Sequence, residues 1–181
     1  DIRINIVDTP GHADFGGEVE RILNMVDGVM ILVDAAEGPM PQTKFVLTKA
    51  LKQNLNPIVL INKVDRSDQR ATEVLNEIFD LFIALDANDD QLDFPVLYSS
   101  AKNGWASNNP EKKAKDMDLL LEKIVDHIPP PIANLSGPLK MLVTSLERDP
   151  YLGRILTGRI NSGSIKTNQK IKSIDRSGKL V

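Results

Sequence analysis

The stretch Ile58-Val59-Leu60-Ile61-Asn62-Lys63-Val64-Asp65 decides the fold. Four consecutive bulky apolar residues suit a strand covered on both faces, as in a parallel sheet. The run then stops on a polar tetrad. Ligands of open α/β sheets bind outside the carboxyl ends of the strands, so the tetrad stands where a ligand is read. Upstream, Val29-Met30-Ile31-Leu32-Val33 ends in the same way at Asp34. Downstream, Val96-Leu97-Tyr98 ends in Ser99-Ser100-Ala101-Lys102. Helical patterns separate these runs. Phe45, Val46, Leu47, Ala50 and Leu51 predict one helix. Val74, Leu75, Ile78, Phe79 and Phe82 form the apolar stripe of another over about 69–85. A third over 118–127 turns Leu119, Leu120, Ile124 and Val125 inward. Strand alternating with helix predicts an α/β fold built on a parallel sheet.

Both flanks extend this reading. Ile2, Ile4 and Ile6 alternate on one face of a further strand, which ends in Asp8-Thr9-Pro10-Gly11-His12. Val19, Ile22, Leu23 and Val26 then recur at helical spacing. At the other flank, Pro129-Pro130-Pro131 forms a stiff linker. Beyond it the apolar period changes to two, in short runs over 139–144, 155–160 and 171–174 split by Gly153, Gly158, Gly163 and Gly178. These read as the opening strands of a β-barrel. The expected domains are 1–131 and 137–181.

Composition narrows the chemistry. No stretch approaches the roughly 18 apolar residues of a membrane helix. The absence of cysteine excludes disulfides, thiolate metal sites and cysteine nucleophiles. With no charged-then-apolar leader, the expected location is cytoplasmic. The net charge of −3 hides an asymmetry. Residues 1–137 carry 13 Lys and Arg against 22 Asp and Glu, and residues 138–181 carry nine against three. An acidic body with a basic C-terminal segment implies different partners for the two parts.

Each strand-end motif has a chemical reading. Asp8 can hold Mg²⁺ through water, because Mg²⁺ keeps several waters and uses few carboxylates. Gly11 lets the backbone approach a terminal phosphate. Guanine presents an N1–H beside an exocyclic amine, and the Asp65 carboxylate accepts from both, which adenine does not allow. The Lys63 stem covers the base face, while Asn62 ties neighbouring loops together. The Ala101 N–H reaches guanine O6, with Ser100 beside it and Lys102 packing on the base. Each motif alone also fits a plain polar turn. Their order at successive strand ends, with Asn62 54 residues after Asp8 and Ser100 38 residues after Asn62, points to GTP or GDP.

The motif order resembles the GTPase superfamily, and His12 after Asp-x-x-Gly resembles its translational branch. The surrounding residues resemble the BipA/TypA family of ribosome-associated GTPases. The likeness runs through residues 12–21, then Glu37-Gly38-Pro39-Met40-Pro41-Gln42-Thr43, residues 90–96 and Tyr151-Leu152-Gly153-Arg154-Ile155. Elongation factor G and the LepA-type factor share the three motifs, but Gly16-Gly17 and the 37–41 segment fit BipA/TypA better. The resemblance implies ribosome-stimulated GTP hydrolysis, with His12 placing the attacking water and Gly11 sensing the γ-phosphate. It also implies ribosomal RNA and ribosomal proteins as partners, and a role in ribosome function or assembly and in stress adaptation. Arg154, Arg159, Lys166, Lys170 and Lys172 then become candidates for ribosome contact. His127 reads as a helix-end residue, Trp105 as a loop packing plug, and the acids of 86–90 as a solvated loop.

The phosphate loop Gly-x-x-x-x-Gly-Lys-[Ser/Thr] is not present in these 181 residues. The family would place that loop, switch I and a central strand upstream. The expected fold is therefore a truncated GTPase-type parallel sheet with helices on both faces, followed by the start of a translation-factor barrel. Taken alone, such a piece is expected to be inactive and to repack, to exchange strands with a second copy, or to need a partner. The alternative is a non-catalytic fragment with weak guanine binding and a ribosome-docking surface.

Overall fold

The computed structural model describes residues 1–9, 16–175 and 177–180. The chain divides into two compact units, Asp1–Pro131 and Ile132–Val181.

In the first unit, three strands run parallel: β1 (Gly28–Asp34), β2 (Asn56–Asn62) and β3 (Val96–Ser100). A short antiparallel strand, β4 (Trp105–Ser107), closes one side, giving the order β1-β2-β3-β4. Because strand side chains alternate, Ile31, Val33, Val59, Ile61 and Tyr98 share one face. There they meet Leu47 and Leu51 of α2 (Pro41–Lys52) and Ala71, Val74, Ile78 and Phe82 of α3 (Ala71–Ala84). Phe82 and Phe79 both pack on Phe94, with ring centroids 4.3 and 4.8 Å apart. Pro41 starts α2 where its missing N–H has no helical partner to lose. A second cluster joins Val19 and Leu23 of α1 (Gly16–Leu23) to Ala50 and Leu55, with Glu20 and Lys49 paired at 2.5 Å beside it. Helix α5 (Asp118–His127) contacts β2 and β4, and the Asn56 side chain donates to the His127 carbonyl at 3.3 Å.

Several expectations need correction. Residues 2–7 form no strand, and Ile2 and Ile6 are exposed. Their alternation records a capacity to pair, yet no strand among the described residues offers them a partner. The Val29–Val33 run is not covered on both faces: Met30 is 38% and Leu32 56% exposed. β1 is the edge strand, so only its inner face gains cover. Trp105 lies in β4 rather than a loop, and its ring joins the core. The acids of 86–90 lie partly in a short helix, α4 (Asp89–Leu92), where Asn88 and Gln91 form a reciprocal capping box and Gln91 donates to the Leu51 carbonyl. In α5, Val125 is exposed, whereas Leu119, Leu120 and Ile124 are half-buried.

The second unit is a hairpin of β5 (Lys140–Asp149) and β6 (Gly153–Ser162). Its turn is set by Asp149, whose Oδ1 accepts the Tyr151 and Leu152 N–H groups at 2.7 Å each, and by Gly153 at φ 80°. The expected strand over 171–174 is reduced to a single bridge, Ile174 to Leu180.

Phe82 is fully buried, so Phe82→Ala should destabilise the first unit by about 3–5 kcal/mol through lost transfer energy and a cavity. Denaturant unfolding followed by the fluorescence of Trp105, the chain's one tryptophan, would measure it; a loss below about 1 kcal/mol would contradict the packing described.

Candidate functional site

The strand register assembles the site. Asp34 pairs with Asn62 across β1 and β2, and Asn62 pairs with Ser99 across β2 and β3. Three polar strand ends therefore stand side by side at the carboxyl edge of the sheet.

Asn62 fastens two of them. Its Oδ1 accepts the Ser99 hydroxyl at 3.1 Å and the Ala101 N–H at 3.0 Å. The Val64 N–H donates to the Ser99 carbonyl at 3.2 Å. After β3 the chain makes a 3-10 turn over Ala101–Asn103, and the Asn103 side chain donates to Ser100 Oγ at 2.8 Å. The Ala101 N–H, which the sequence reading aims at guanine O6, is thus engaged by Asn62. Asp65 sits at the same edge. Hydrogen bonding from the Ser100 side chain, its own backbone N–H, the Lys102 charge and the Asn103 side chain together hold its carboxyl below the usual carboxylate range, against the effect of burial. Asp65 is therefore a formed carboxylate at neutral pH.

Asp34 was visible in the sequence only as a strand end, and it proves the most connected acid at this edge. Its Oδ1 accepts the Ala36 N–H at 2.8 Å and the Glu37 N–H at 3.3 Å. Its Oδ2 lies 2.6 Å from Lys63 Nζ and 3.7 Å from Arg66 Nη1. The Lys63 contact is an ion pair without the angle of an aligned hydrogen bond. Burial opposes ionisation of Asp34, but Lys63 and the two amides outweigh it and lower its pKa; the same pairing raises that of Lys63. Lys63 itself adopts φ 65°, a left-handed conformation disfavoured for a residue with a Cβ.

Arg70 braces the loop beyond Asp34. Its Nε donates to the Ala36 carbonyl at 2.9 Å and its Nη2 to the Glu37 carbonyl at 3.2 Å, while it pairs with Glu77. Gly38 closes this loop at φ 80°, donating its N–H to the Asp34 carbonyl, and a Cβ there would strike Glu77. A cavity of about 230 Å³ opens beside these groups, lined by Asp34, Asn62, Lys63, Met40 and Thr43 among others. An acid at a strand end in register with the tetrad was the signal that could have singled out Asp34.

The remaining candidates are less connected. Asp8 is exposed and Thr9 half-buried, in irregular chain. Pro10, Gly11 and His12 lie outside the described residues. Among the described residues no three His, Cys, Asp or Glu side chains cluster as a metal site. Mg²⁺ beside a nucleotide takes one or two carboxylates together with phosphate oxygens, so a single Asp8 remains compatible with that role.

The sequence profile described as elongation factor Tu GTP binding domain matches residues 1–130. A Bacillus subtilis protein named large ribosomal subunit assembly factor BipA is 54% identical over 178 residues, 98% of this chain and 29% of that protein. Its namesake in Salmonella typhimurium is 55% identical over 179 residues, 99% of this chain and 30% of that protein. The chain thus spans 29–30% of the length of these relatives. Among solved structures, translation elongation factor SelB from Methanococcus maripaludis, in complex with the GTP analogue GppNHp, matches 86% of this chain and 32% of its own, with TM-score 0.61 and 26% identity.

Asn62→Ala would remove the one acceptor shared by Ser99 and Ala101. Stability should fall by about 1–3 kcal/mol, the range for stranding buried polar groups, and hydrogen exchange at the Ala101 amide should accelerate. Unchanged exchange there would mean that Asn62 does not fasten the turn.

Proposed function

We propose that this chain, which belongs to the elongation factor Tu GTP-binding domain family and to its ribosome-associated BipA branch, supplies the guanine-reading part of a ribosome-stimulated GTPase. One observation carries the reading: Asn62 locks the ends of β2 and β3 together, so that Asp65 and the Ala101–Asn103 turn face one edge of the sheet. Asp65 accepts from the guanine N1–H and amine, and the Lys63 and Lys102 stems pack on the base. The Ala101 N–H, held at this edge by Asn62, is shared with guanine O6 when the base enters, and Ser100 helps keep Asp65 ionised. Asp8, Thr9, Pro10 and Gly11 serve the phosphate end, where Asp8 holds Mg²⁺ through water. Held there, the ion would supply positive charge beside the phosphate oxygens.

Hydrolysis is proposed for the protein at the full length of its relatives. There His12 orients the attacking water on ribosome contact, and residues 1–131 act as the later two-thirds of the GTP-binding domain. Residues 137–181 open a barrel whose basic side chains meet ribosomal RNA or protein. The relatives are named as large ribosomal subunit assembly factors, and the same role in the cytoplasm, with a contribution to stress adaptation, is the reading adopted for this chain. The chain as it stands is proposed to be inactive in hydrolysis. Among the described residues the outer edge of β1 has no partner strand and the alternation of residues 2–7 is unpaired, which supports strand exchange between two copies. Light scattering should then find a dimer, and a strict monomer would exclude the exchange.

Asp65→Asn tests the guanine assignment, because it replaces an acceptor by a donor. In the full-length protein, GDP affinity should fall on the order of 10- to 100-fold, the range of a hydrogen bond to a charged group. Preference should move to xanthosine diphosphate. Competition titration reads both, and retention of guanine preference would refute the role of Asp65.

A further inference from the structure

We infer that Asp34 is a positioning residue for guanine-nucleotide affinity, acting through Lys63. The inference rests on the guanine reading above and adds a residue outside the three motifs. Asp34 is 11% exposed at its side chain, and its two oxygens have separate tasks. Oδ1 is consumed by the Ala36 and Glu37 amides, which fixes the carboxylate plane in its loop. Oδ2 is left to the Lys63 ammonium, 2.6 Å away, as an ion pair. Its second cation, Arg66, stands at 3.7 Å and is held in a two-pronged pair by Asp68. Lys63 is therefore the cation that Asp34 controls.

The consequence lies in the stem. With its backbone at φ 65° and its ammonium anchored at Asp34, the Lys63 side chain is fixed at both ends. Its side chain stays 53% exposed, so the methylene stem still offers apolar surface to a planar base. A free lysine would lose rotamer freedom on covering the base, and that ordering weakens binding. Here the ordering is completed during folding. The Arg70 contacts with the Ala36 and Glu37 carbonyls hold the same loop from behind, so the anchor itself is rigid.

The test is a double-mutant cycle on the protein at the full length of its relatives, with GDP as the probe. Asp34→Asn keeps an Oδ1 acceptor for both loop amides and removes the charge facing Lys63. GDP affinity should drop about tenfold, equivalent to about 1.4 kcal/mol, through faster dissociation. Preference for GDP over xanthosine diphosphate should persist, because Asp65 sets it. Lys63→Met keeps an unbranched stem without the ammonium, and it should lose affinity to a similar extent. In the Lys63→Met background, Asp34→Asn should have no further effect. A general structural role would instead lower the unfolding midpoint and weaken binding undiminished in that background, which would overturn the inference. Wild-type affinity in Asp34→Asn would overturn it too, leaving the guanine reading intact. Failure of the unmutated protein to bind GDP would instead remove both.

Discussion

The side-chain oxygen of Asn62 is the constraint on which the strand-end site depends. A parallel sheet delivers its strand ends side by side, but it leaves the chains beyond them free to diverge. One acceptor taking both the Ser99 hydroxyl and the Ala101 amide removes that freedom between β2 and β3. The Ser99 bond lies in partly buried surroundings, where a stranded donor is costly, while the Ala101 bond is exposed. The loops after the two strands are therefore set relative to each other before any ligand arrives. Asp65, placed by one loop and with its carboxyl pKa lowered by Ser100 of the other, inherits that setting.

This fastening works only because the sheet beneath it does not slip. The β1–β2–β3 register is continuous from Gly28–Asn56 to Asp34–Asn62 and on to Asn62–Ser99. It is held by a face whose buried residues pack on α2 and α3. A shift of one residue would turn Val59 and Ile61 away from those helices and bring polar strand ends into the core, so hydrophobic burial selects the register. Packing thus acts on the site through geometry. The apolar residues of β2 supply no polar group to the strand-end cluster, yet they decide which side chains meet there.

Much of this was legible in the sequence, for a physical reason. The β2 run, the stripe of α3 and the motifs at the strand ends are local patterns that tertiary packing reinforces. What was illegible depends on partners distant in sequence. Residues 2–7 carry a strand pattern, but pairing is decided by the neighbour, and none is found among the described residues. Met30 and Leu32 look like interior positions and are not, because edge status belongs to the sheet rather than the strand. β4 is only three residues long, too short for any period, and its pairing with β3 draws Trp105 into the core. In the site, the acceptor role of Asn62 followed from the motif. The link from Asp34 to Lys63 did not, since the two are 29 positions apart and meet only through the β1–β2 register.

The charges at this edge differ in what they accomplish. Arg66 and Asp68 form a close pair with both side chains well exposed, and such pairs contribute little to stability because water and salt screen them. Their chief effect is to occupy Arg66. Asp34 is nearly covered, so its ionisation is opposed by burial and must be met by specific partners: two amides and one ammonium. Removing either kind of partner would leave a poorly solvated charge, and that penalty is what keeps Lys63 in place. The strained backbone of Lys63 is tolerated for the same reason: the surrounding contacts over-determine it. The sheet edge thus holds one exposed pair that water screens and one covered carboxylate matched by specific partners. The second orients a side chain whose stem remains open to a ligand.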